Sequence, residues 1–398
     1  MLGGNCAMHE KSKPGVISRG IKTPIIMPGD DVVKIVVDSV IATVGIEGIH
    51  DKDAIGTTEA VVAIGQNNIV SQAEIVKDLE AKFAGANSIA VVDPIQSRNR
   101  FMAILKAVAA MPSIKNIYVV MTYPTDEVGN RLVPEEVMME SGVNPYRDVL
   151  SQEEFYEKLG KPCHPFTGKD YMEIYKGICG EKGRIVMCND FAQVPAICGD
   201  ILVCSIHRRA MVKRILLKNG AHRVLDLSEI MNSPVDGSGY NERFGLYGSN
   251  IQDNDDLKLM PRDCDKFVKA VQEEVFKRTG KKVESYVFGD GAFKDPVGGI
   301  WELADPTTTP GYTEGLRGTP EEVKLKFIAS QHKGMTSEEI EKIVAEEKEA
   351  RKAVKDITNT ASLGTTPRQI TDLISSLSDL TTGSGDRQTP VVLIQNYL

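Results

Sequence analysis

Short apolar runs alternate with amphipathic stretches along most of the chain from about residue 16 onward. Residues 89–92 and 117–122 are strand-sized runs rich in Ile and Val, and residues 97–111 between them have the apolar spacing of a helix. A strand, a helix and a second strand in this order predict a parallel pair. Because the alternation continues along the chain, we predict an α/β (α+β) fold in which helices cover mixed sheets.

Local signals refine the boundaries of these elements. Asp30 or Asp31 can cap the helix that follows, and Ser71 with Glu74 forms a capping box for another. The apolar run 60–64 is a candidate buried strand. The loop 234–248 is rich in glycine and asparagine and is too long for a plain connection, so we interpret it as a candidate lid or binding loop.

The patterning divides the chain into four parts. Residues 1–15 are a polar tail, and residues 16–318 form the main α/β domain with an irregular insertion at 124–182. Residues 319–366 contain a stripe of apolar residues at helical spacing, which predicts a helical insertion. Residues 367–398 supply a terminal helix and strand, so the chain is expected to return to the main domain.

Composition excludes several classes of protein. The net charge of −8 argues against a protein that coats nucleic acid. No apolar run approaches the roughly 20 residues of a membrane-spanning helix, and the polar first 13 residues lack the apolar core of a secretory signal. The seven cysteines show no C-x-x-C spacing, which favours reduced thiols and a cytoplasmic protein.

The common nucleotide-binding motifs are missing from the sequence. No G-x-x-x-x-G-K-[ST] occurs, and the glycines Gly237 and Gly239 do not lie between a strand and a helix. Neither a P-loop nor a dinucleotide fingerprint is therefore present. Any nucleotide must be bound in another way.

Three separated stretches of the sequence occur in the same order as similar stretches in a known protein family. The first is I-I-M-P-G-D-D at 25–31 with its helix, followed by T-T-E-A-V-V at 57–62. The second is F-G-L-Y-G-S-N-I at 244–251, then L-M-P-R-D at 259–263 and a strand that ends at Asp290. The third closes the chain between 370 and 394. Together they resemble the F-420-0:γ-glutamyl ligase family, which attaches glutamate to the deazaflavin coenzyme F-420.

The chain also departs from the family pattern at several positions. Ala60 stands where the family has a lysine in the first strand corner, and Tyr247 stands where it has a metal-binding aspartate. Residues 292–296 replace the family's Gly-Arg-Pro-Trp sequence. Residues 89–182 and 319–366 match no part of the family pattern.

The resemblance implies an amide-forming ligase. Such an enzyme joins an amino acid, here L-glutamate, to a carboxylate-bearing acceptor with GTP (or ATP) and Mg²⁺ or Mn²⁺, and it works as a homodimer. Two alternatives stay open. One is a non-catalytic or regulatory ligand-binding protein on the same scaffold, favoured by the missing lysine and aspartate. The other is a different metal- and phosphate-dependent enzyme centred on Asp93, Arg98 and Arg100.

Two carboxylates are the candidate catalytic and metal-binding groups. Asp290 ends a strand between two glycines, where α/β proteins place chemistry, although a turn-forming aspartate is an alternative. Glu59 lies beside a buried-looking run, where an unpaired carboxylate would be costly, so a cation is expected as its partner. A solvated glutamate at a strand edge is the other interpretation.

The remaining candidates are polar residues at the ends of predicted strands. Asp93 is the third candidate metal ligand, and Arg98 and Arg100 near the start of the next helix can bind phosphate. A solvated helix start is the alternative for this group. The resemblance adds Thr58, Ser249 and Asn250 as cofactor-binding residues. The loop acids Asp253, Asp255 and Asp256 lack EF-hand spacing and are interpreted as solvated.

Overall fold

A computed structural model provides the architecture of the protein. The structure describes residues 14–96, 99–126, 129–165, 167–206, 208–289, 292–294, 301–303, 308–319, 328, 330–332, 334–353, 369–382 and 389–398. Within these residues, no helix combines the length and the apolar character needed to cross a lipid bilayer.

Strands and helices alternate along most of the chain, as the sequence predicts. The strands are β1 Ile17–Ile21, β2 Ala54–Thr58, β3 Ile69–Val70, β4 Ser88–Val92, β5 Asn116–Met121, β6 Leu150–Ser151, β7 Gly183–Met187, β8 Asp200–Val203, β9 Arg223–Asp226, β10 Asn250–Ile251, β11 Leu257–Lys258, β12 Glu284–Gly289, β13 Ala292–Lys294, β14 Trp301–Leu303, β15 Thr308–Tyr312 and β16 Val391–Gln395. The helices are α1 Val32–Val44, α2 Glu59–Gly65, α3 Gln72–Lys82, α4 Asn99–Ala110, α5 Glu135–Glu140, α6 Gln152–Leu159, α7 Tyr171–Cys179, α8 Val194–Ile197, α9 Arg209–Lys218, α10 Cys264–Thr279, α11 Ser337–Ala353 and α12 Ile370–Thr382.

One mixed sheet joins the two ends of the chain. Its strand order is β1-β16-β2-β12-β15, in which β2 and β12 run parallel and the other neighbours run antiparallel. Helices α1 and α10 bury their apolar sides against one face of this sheet. Helix α12 covers the other face, where Ile374 packs with Tyr286 and Ile394. The sheet is therefore buried on both faces, which fits the continuous burial along β2, β12 and β16.

A second, six-stranded sheet is built from the middle of the chain. Its order is β6-β7-β5-β4-β8-β9, and all neighbours are parallel except β6 and β7. The parallel pairing of β4 with β5 confirms the prediction from their spacing. Helices α4 and α7 pack on one face, whereas α8 and α9 pack on the other. This arrangement is a doubly wound α/β sheet.

A small antiparallel sheet lies between the two large ones. It has the order β10-β11-β3. Helix α3 follows β3 directly and packs against α4 of the six-stranded half. Helix α2, which follows β2 of the five-stranded sheet, packs against β11. The small sheet therefore fastens the two halves of the molecule together.

The prediction of a strand at 60–64 is wrong. Strand β2 ends at Thr58, and Glu59 begins helix α2. Glu59, Val62 and Ala63 are the buried positions of this helix, which is helical spacing rather than the alternation of a strand. A run of five apolar residues is too short for its periodicity to separate the two structures.

Other local predictions fare better, and some fall outside the described residues. Asp31 caps α1, and the capping box of Ser71 and Glu74 is present at α3. The segment 124–182 is more regular than predicted, since it contains α5, β6, α6 and α7. Its turn-forming residues flank short helices instead of forming one long loop. Helix α11 confirms the middle helix of the predicted C-terminal group, whereas residues 320–327 and 354–366 lie outside the described residues.

Gly56 is required for the packing of β2 against the sheet interior. A Cβ atom at this position would lie 2.5 Å from Cζ of the buried Tyr286 ring. We expect Gly56→Ala to lower the free energy of unfolding by about 1–3 kcal/mol, because an overpacked core strains its neighbours. Urea denaturation followed by circular dichroism measures the change.

Gly177 in α7 provides the matched control. A Cβ atom at this position meets nothing within 4 Å, so Gly177→Ala is expected to be neutral or to stabilise the helix by about 0.5–1 kcal/mol. Equal stability of the Gly56→Ala variant and the natural protein would contradict the packing described here.

Candidate functional site

The candidate site lies at the corner where two parallel strands end side by side. Thr58 at the end of β2 pairs with Phe288 of β12, so Glu59 and Gly289 follow at the same edge of the sheet. The side chain of Glu59 packs directly on Gly289, where an added Cβ would lie 2.3 Å from Cγ of Glu59. The corner therefore brings Glu59 against the residue that immediately precedes Asp290.

Lys258 completes this corner from a different sheet. Its Nζ donates hydrogen bonds to both carboxylate oxygens of Glu59, at 2.9 Å to Oε1 and 2.8 Å to Oε2. The Lys258 side chain is 5% exposed and that of Glu59 is 8% exposed. Glu59 is therefore neither a solvated strand-edge residue nor an unpaired buried charge.

Sequence reasoning missed Lys258. It lies 199 residues from Glu59 in the chain, so no local spacing links the two. The one available signal was a lysine inside the apolar run Leu257–Met260, because a charge in such a run is rarely buried without a partner. The expectation of a cationic partner for Glu59 is met by an ammonium group.

The predicted residues Ser249 and Asn250 lie beside this pair. Asn250 of β10 is directly opposite Lys258 of β11 in the antiparallel ladder. The hydroxyl oxygens of Ser249 and Thr57 are buried and have no hydrogen-bond partner among the described residues. Buried hydroxyls without partners are rare, and two of the three among the described residues, the third being that of Ser285, come from the segments that also carry Thr58 and Asn250.

The structure does not bring all of the predicted residues together. Asp93 follows β4 in the six-stranded sheet, and its carboxylate is bound by the guanidinium of Arg208. Asp290 and Arg98 lie outside the described residues, and the side chain of Arg100 is likewise not described. Of the remaining candidates, Thr58, Glu59, Ser249 and Asn250 gather at one corner.

The described residues do not form a preassembled metal site. Within the described part of the chain, no three His, Cys, Asp or Glu side chains form a group that could hold a metal ion. Glu59 is engaged by Lys258, and Asp255 is engaged by Lys106 at 2.8 Å. The donor set at the corner, one carboxylate already neutralised by an ammonium, does not by itself fit a resident divalent cation.

A cavity of about 300 Å³ opens beside helix α10. Its walls come from the predicted binding loop, from the start of α10 and from β15, and the lining residues are Tyr240, Asn241, Glu242, Arg243, Phe244, Pro261, Arg262, Asp263, Cys264, Asp265, Lys266 and Pro310. Positive and negative side chains both face this space. The interpretation of residues 240–243 as part of a binding loop is consistent with this placement.

The cavity and the ion pair are electrostatic neighbours. Burial, followed by the charges of Asp265 and Glu59, raises the pKa of the Cys264 thiol to about 12. Cys264 lines the cavity, so the carboxylate of Glu59 lies close enough to act on a group in its wall. Asn241 fixes the loop by donating to the carbonyl oxygens of Met260 and Pro261, both at 3.0 Å.

The buried pair predicts a large thermodynamic coupling between Glu59 and Lys258. We expect Glu59→Gln or Lys258→Met alone to lower the free energy of unfolding by about 3–5 kcal/mol, because each leaves one buried charge uncompensated. The double variant should lose much less than the sum of the two losses. Urea denaturation of all four proteins gives the coupling energy.

The exposed pair of Lys77 and Asp236 is the matched control, because its side chains are 59% and 62% exposed. The same set of two single variants and one double variant at that pair should give a coupling energy of at most about 1 kcal/mol. Additive losses at Glu59 and Lys258 would show that the two charges do not depend on each other.

The comparison with known proteins fits this arrangement of elements. A search of curated proteins finds no match. A sequence model described as F-420-0:gamma-glutamyl ligase, in contrast, matches residues 20–396, which include the corner, the cavity and the closing strand β16. The match therefore covers nearly the whole chain, and this protein belongs to the F-420-0:γ-glutamyl ligase family.

Proposed function

We propose that this chain is a ligase that joins the amino group of L-glutamate to a carboxylate of F-420-0 or a close analogue, with GTP or ATP as the phosphoryl donor. The observation that carries the proposal is the buried pair of Glu59 and Lys258 at the corner where the family resemblance places polar groups. The unpaired hydroxyls of Thr57 and Ser249 support it, because they leave polar capacity for a substrate.

The reaction requires a fixed positive charge near the acceptor carboxylate. A carboxylate oxygen of the acceptor attacks the γ-phosphorus of the nucleotide, and the nucleoside diphosphate leaves. The nitrogen of glutamate then attacks the acyl carbon of the acyl phosphate, phosphate leaves, and the amine proton passes to a base. Negative charge collects on the phosphoryl oxygens, and a donor that is already in place stabilises it at no cost in reorganisation.

Lys258 is suited to this task. An ammonium has three N–H donors, and Glu59 accepts from two of them. The third has no partner among the described residues. Glu59 keeps the ammonium in one orientation, because the carboxylate is itself buried against Gly289.

Lys258 also accounts for the departure at Ala60. The family lysine is missing from the first strand corner, but the Lys258 ammonium reaches the residue directly before Ala60 from β11. Because Lys258 supplies an ammonium group where the expected lysine is missing, we favour the catalytic interpretation over a non-catalytic protein on the same scaffold. We propose Asp290 as the carboxylate that would hold Mg²⁺ or Mn²⁺, and the cation would offset the negative charge of the nucleotide phosphates. The homodimer stays a prediction.

The cavity beside α10 is proposed to bind L-glutamate. Its mixture of charges suits a zwitterion with a second carboxylate, and Asp265 and Lys266 come from α10. The guanidinium of Arg243 stacks on the Phe244 ring at 4.9 Å and has no carboxylate partner among the described residues. It is therefore the cation proposed to bind a glutamate carboxylate.

Turnover tests the proposal directly. We expect the protein to release nucleoside diphosphate and to add glutamate to F-420-0 only when GTP or ATP, Mg²⁺ or Mn²⁺ and L-glutamate are all present. The double variant Glu59→Gln/Lys258→Met should fold but lose at least about 100-fold in kcat, the effect of removing one preorganised donor. Asp290→Asn should abolish turnover without unfolding the protein.

Product formation is followed by mass spectrometry, and folding is followed by circular dichroism. Full activity of the double variant would remove the buried pair from the mechanism. Calorimetry that detects no binding of GTP or ATP, with or without the cation, would favour the non-catalytic interpretation.

Glutamate affinity tests the cavity. We expect Arg243→Met to raise KM for L-glutamate about 10-fold or more and to leave kcat within about twofold, because a charge-assisted hydrogen bond is worth about 1.5–3 kcal/mol. Lys269→Met removes the same charge from the exposed side of α10, outside the cavity, and should change neither constant. An unchanged KM in Arg243→Met would place glutamate elsewhere.

A further inference from the structure

The six-stranded sheet has a point at which its strand order reverses. Strand order runs from β4 to β5 and β7 on one side, and from β4 to β8 and β9 on the other. The direction of winding therefore reverses between β4 and β8. Helices α4 and α9, which follow these two strands, pack on opposite faces of the sheet. In doubly wound sheets, ligands bind outside the carboxyl ends of the strands at this place.

A charged pair joins the two strands at the reversal. Asp93, the first residue after β4, is 1% exposed and has a left-handed backbone with φ of 57°. Arg208, the residue before α9, contacts its carboxylate through Nη2 at 2.5 Å and through Nε at 3.2 Å. A left-handed conformation costs free energy for a residue other than glycine, and such strain collects at functional sites.

The Arg208 side chain presents unused donors to solvent. It is 40% exposed, and its Nη1 has no hydrogen-bond partner among the described residues. The backbone N–H of Arg208 donates to the hydroxyl of Ser205 at 3.1 Å, and its guanidinium lies 5.5 Å from the centre of the Phe191 ring. The guanidinium is therefore held by two contacts, the Asp93 carboxylate and the Phe191 ring, and the side chain stays partly exposed.

A second arginine adds to the positive charge at this edge. Arg209 is exposed, lies over the Tyr247 ring at 5.0 Å, and has no carboxylate partner among the described residues. The first turn of α9 contains no acidic residue. Arg208 is paired with Asp93, whereas Arg209 brings a guanidinium that no described carboxylate pairs with.

A single short segment links this edge to the ligase corner. Tyr247 donates a hydrogen bond to the carbonyl oxygen of Ser205 at 2.7 Å. Three residues later, Asn250 lies opposite Lys258. Three residues span at most ~11 Å between Cα atoms, so Tyr247, which contacts the reversal point, and Asn250, which contacts the corner, lie close together.

We propose that the reversal point, at the carboxyl ends of β4 and β8, is a second binding site that takes a phosphate group, with Arg208 as its principal ligand and Asp93 as the residue that positions Arg208. Planar guanidinium donors match phosphate oxygens. The ion pair of Asp93 and Arg208 could also serve only to hold β4 and β8 together. That interpretation would not explain why Arg208 is partly exposed or why Arg209 lies beside it. The phosphate belongs either to the nucleotide or to a phosphorylated acceptor.

Calorimetry with the full-length chain tests the site, with inorganic phosphate and GTP as separate probes. We expect Arg208→Met to weaken phosphate binding about 10-fold or more. Arg208→Lys keeps a charge beside Asp93, so it protects the fold, and it should also weaken binding because the planar donors are lost. Arg214→Met removes one exposed charge from the same helix and should bind as the natural protein does.

The outcomes separate the two sources of the phosphate. A parallel loss of GTP affinity in both Arg208 variants assigns the site to the nucleotide. Retained GTP affinity with weakened phosphate binding assigns it to the acceptor. No phosphate binding by the natural protein, or equal phosphate binding in the natural protein and both Arg208 variants, would overturn the proposal.

The double variant Glu59→Gln/Lys258→Met keeps this test independent of the proposed ligase activity. It should lose turnover but keep the Arg208-dependent phosphate binding. Loss of that binding in the double variant would place the phosphate at the corner and overturn the second site.

Discussion

Two opposite charges held out of water, on Glu59 and Lys258, are the constraint around which the rest of the structure is arranged. A buried charge is tolerated only beside a partner, so the pair fixes the end of β2 against β11. Through β11 it also fixes β10 and the segment that crosses to the six-stranded sheet. The ion pair therefore adds a charged contact between β2 and β11 to the packing of α2 on β11 and of α3 on α4, and Asn250 lies opposite Lys258 at this contact.

Features that depend on neighbouring residues could be predicted from the sequence, and features that depend on distant residues could not. The capping box of Ser71 and Glu74 needs residues three apart, and it is present. The mixed α/β architecture follows from alternating runs and is confirmed. The partner of Glu59 comes from 199 residues away, and no periodicity contains that information. The prediction of a strand at residues 60–64 failed for a different reason, since five apolar residues fit a strand and a helix equally well.

The chemistry of the corner depends on which side chains meet in space and not on their order in the chain. The resemblance implies a lysine where Ala60 stands, and the Lys258 ammonium contacts Glu59, the residue directly before Ala60, from another strand. A comparison restricted to aligned positions would record the loss of a functional group. The folded chain instead retains positive charge at the corner, supplied by Lys258 of β11.

The position of β16 has a consequence for how the protein is made. This strand comes last of those described, yet it lies inside the five-stranded sheet, between β1 and β2. The strands of the six-stranded sheet, in contrast, all come from residues 150–226 and 88–121, so that sheet can close while synthesis continues. The sheet that carries Glu59 must wait for residues 391–395 to leave the ribosome. Until then β1 and β2 each have an edge without its β16 partner, and such unpaired edges favour aggregation.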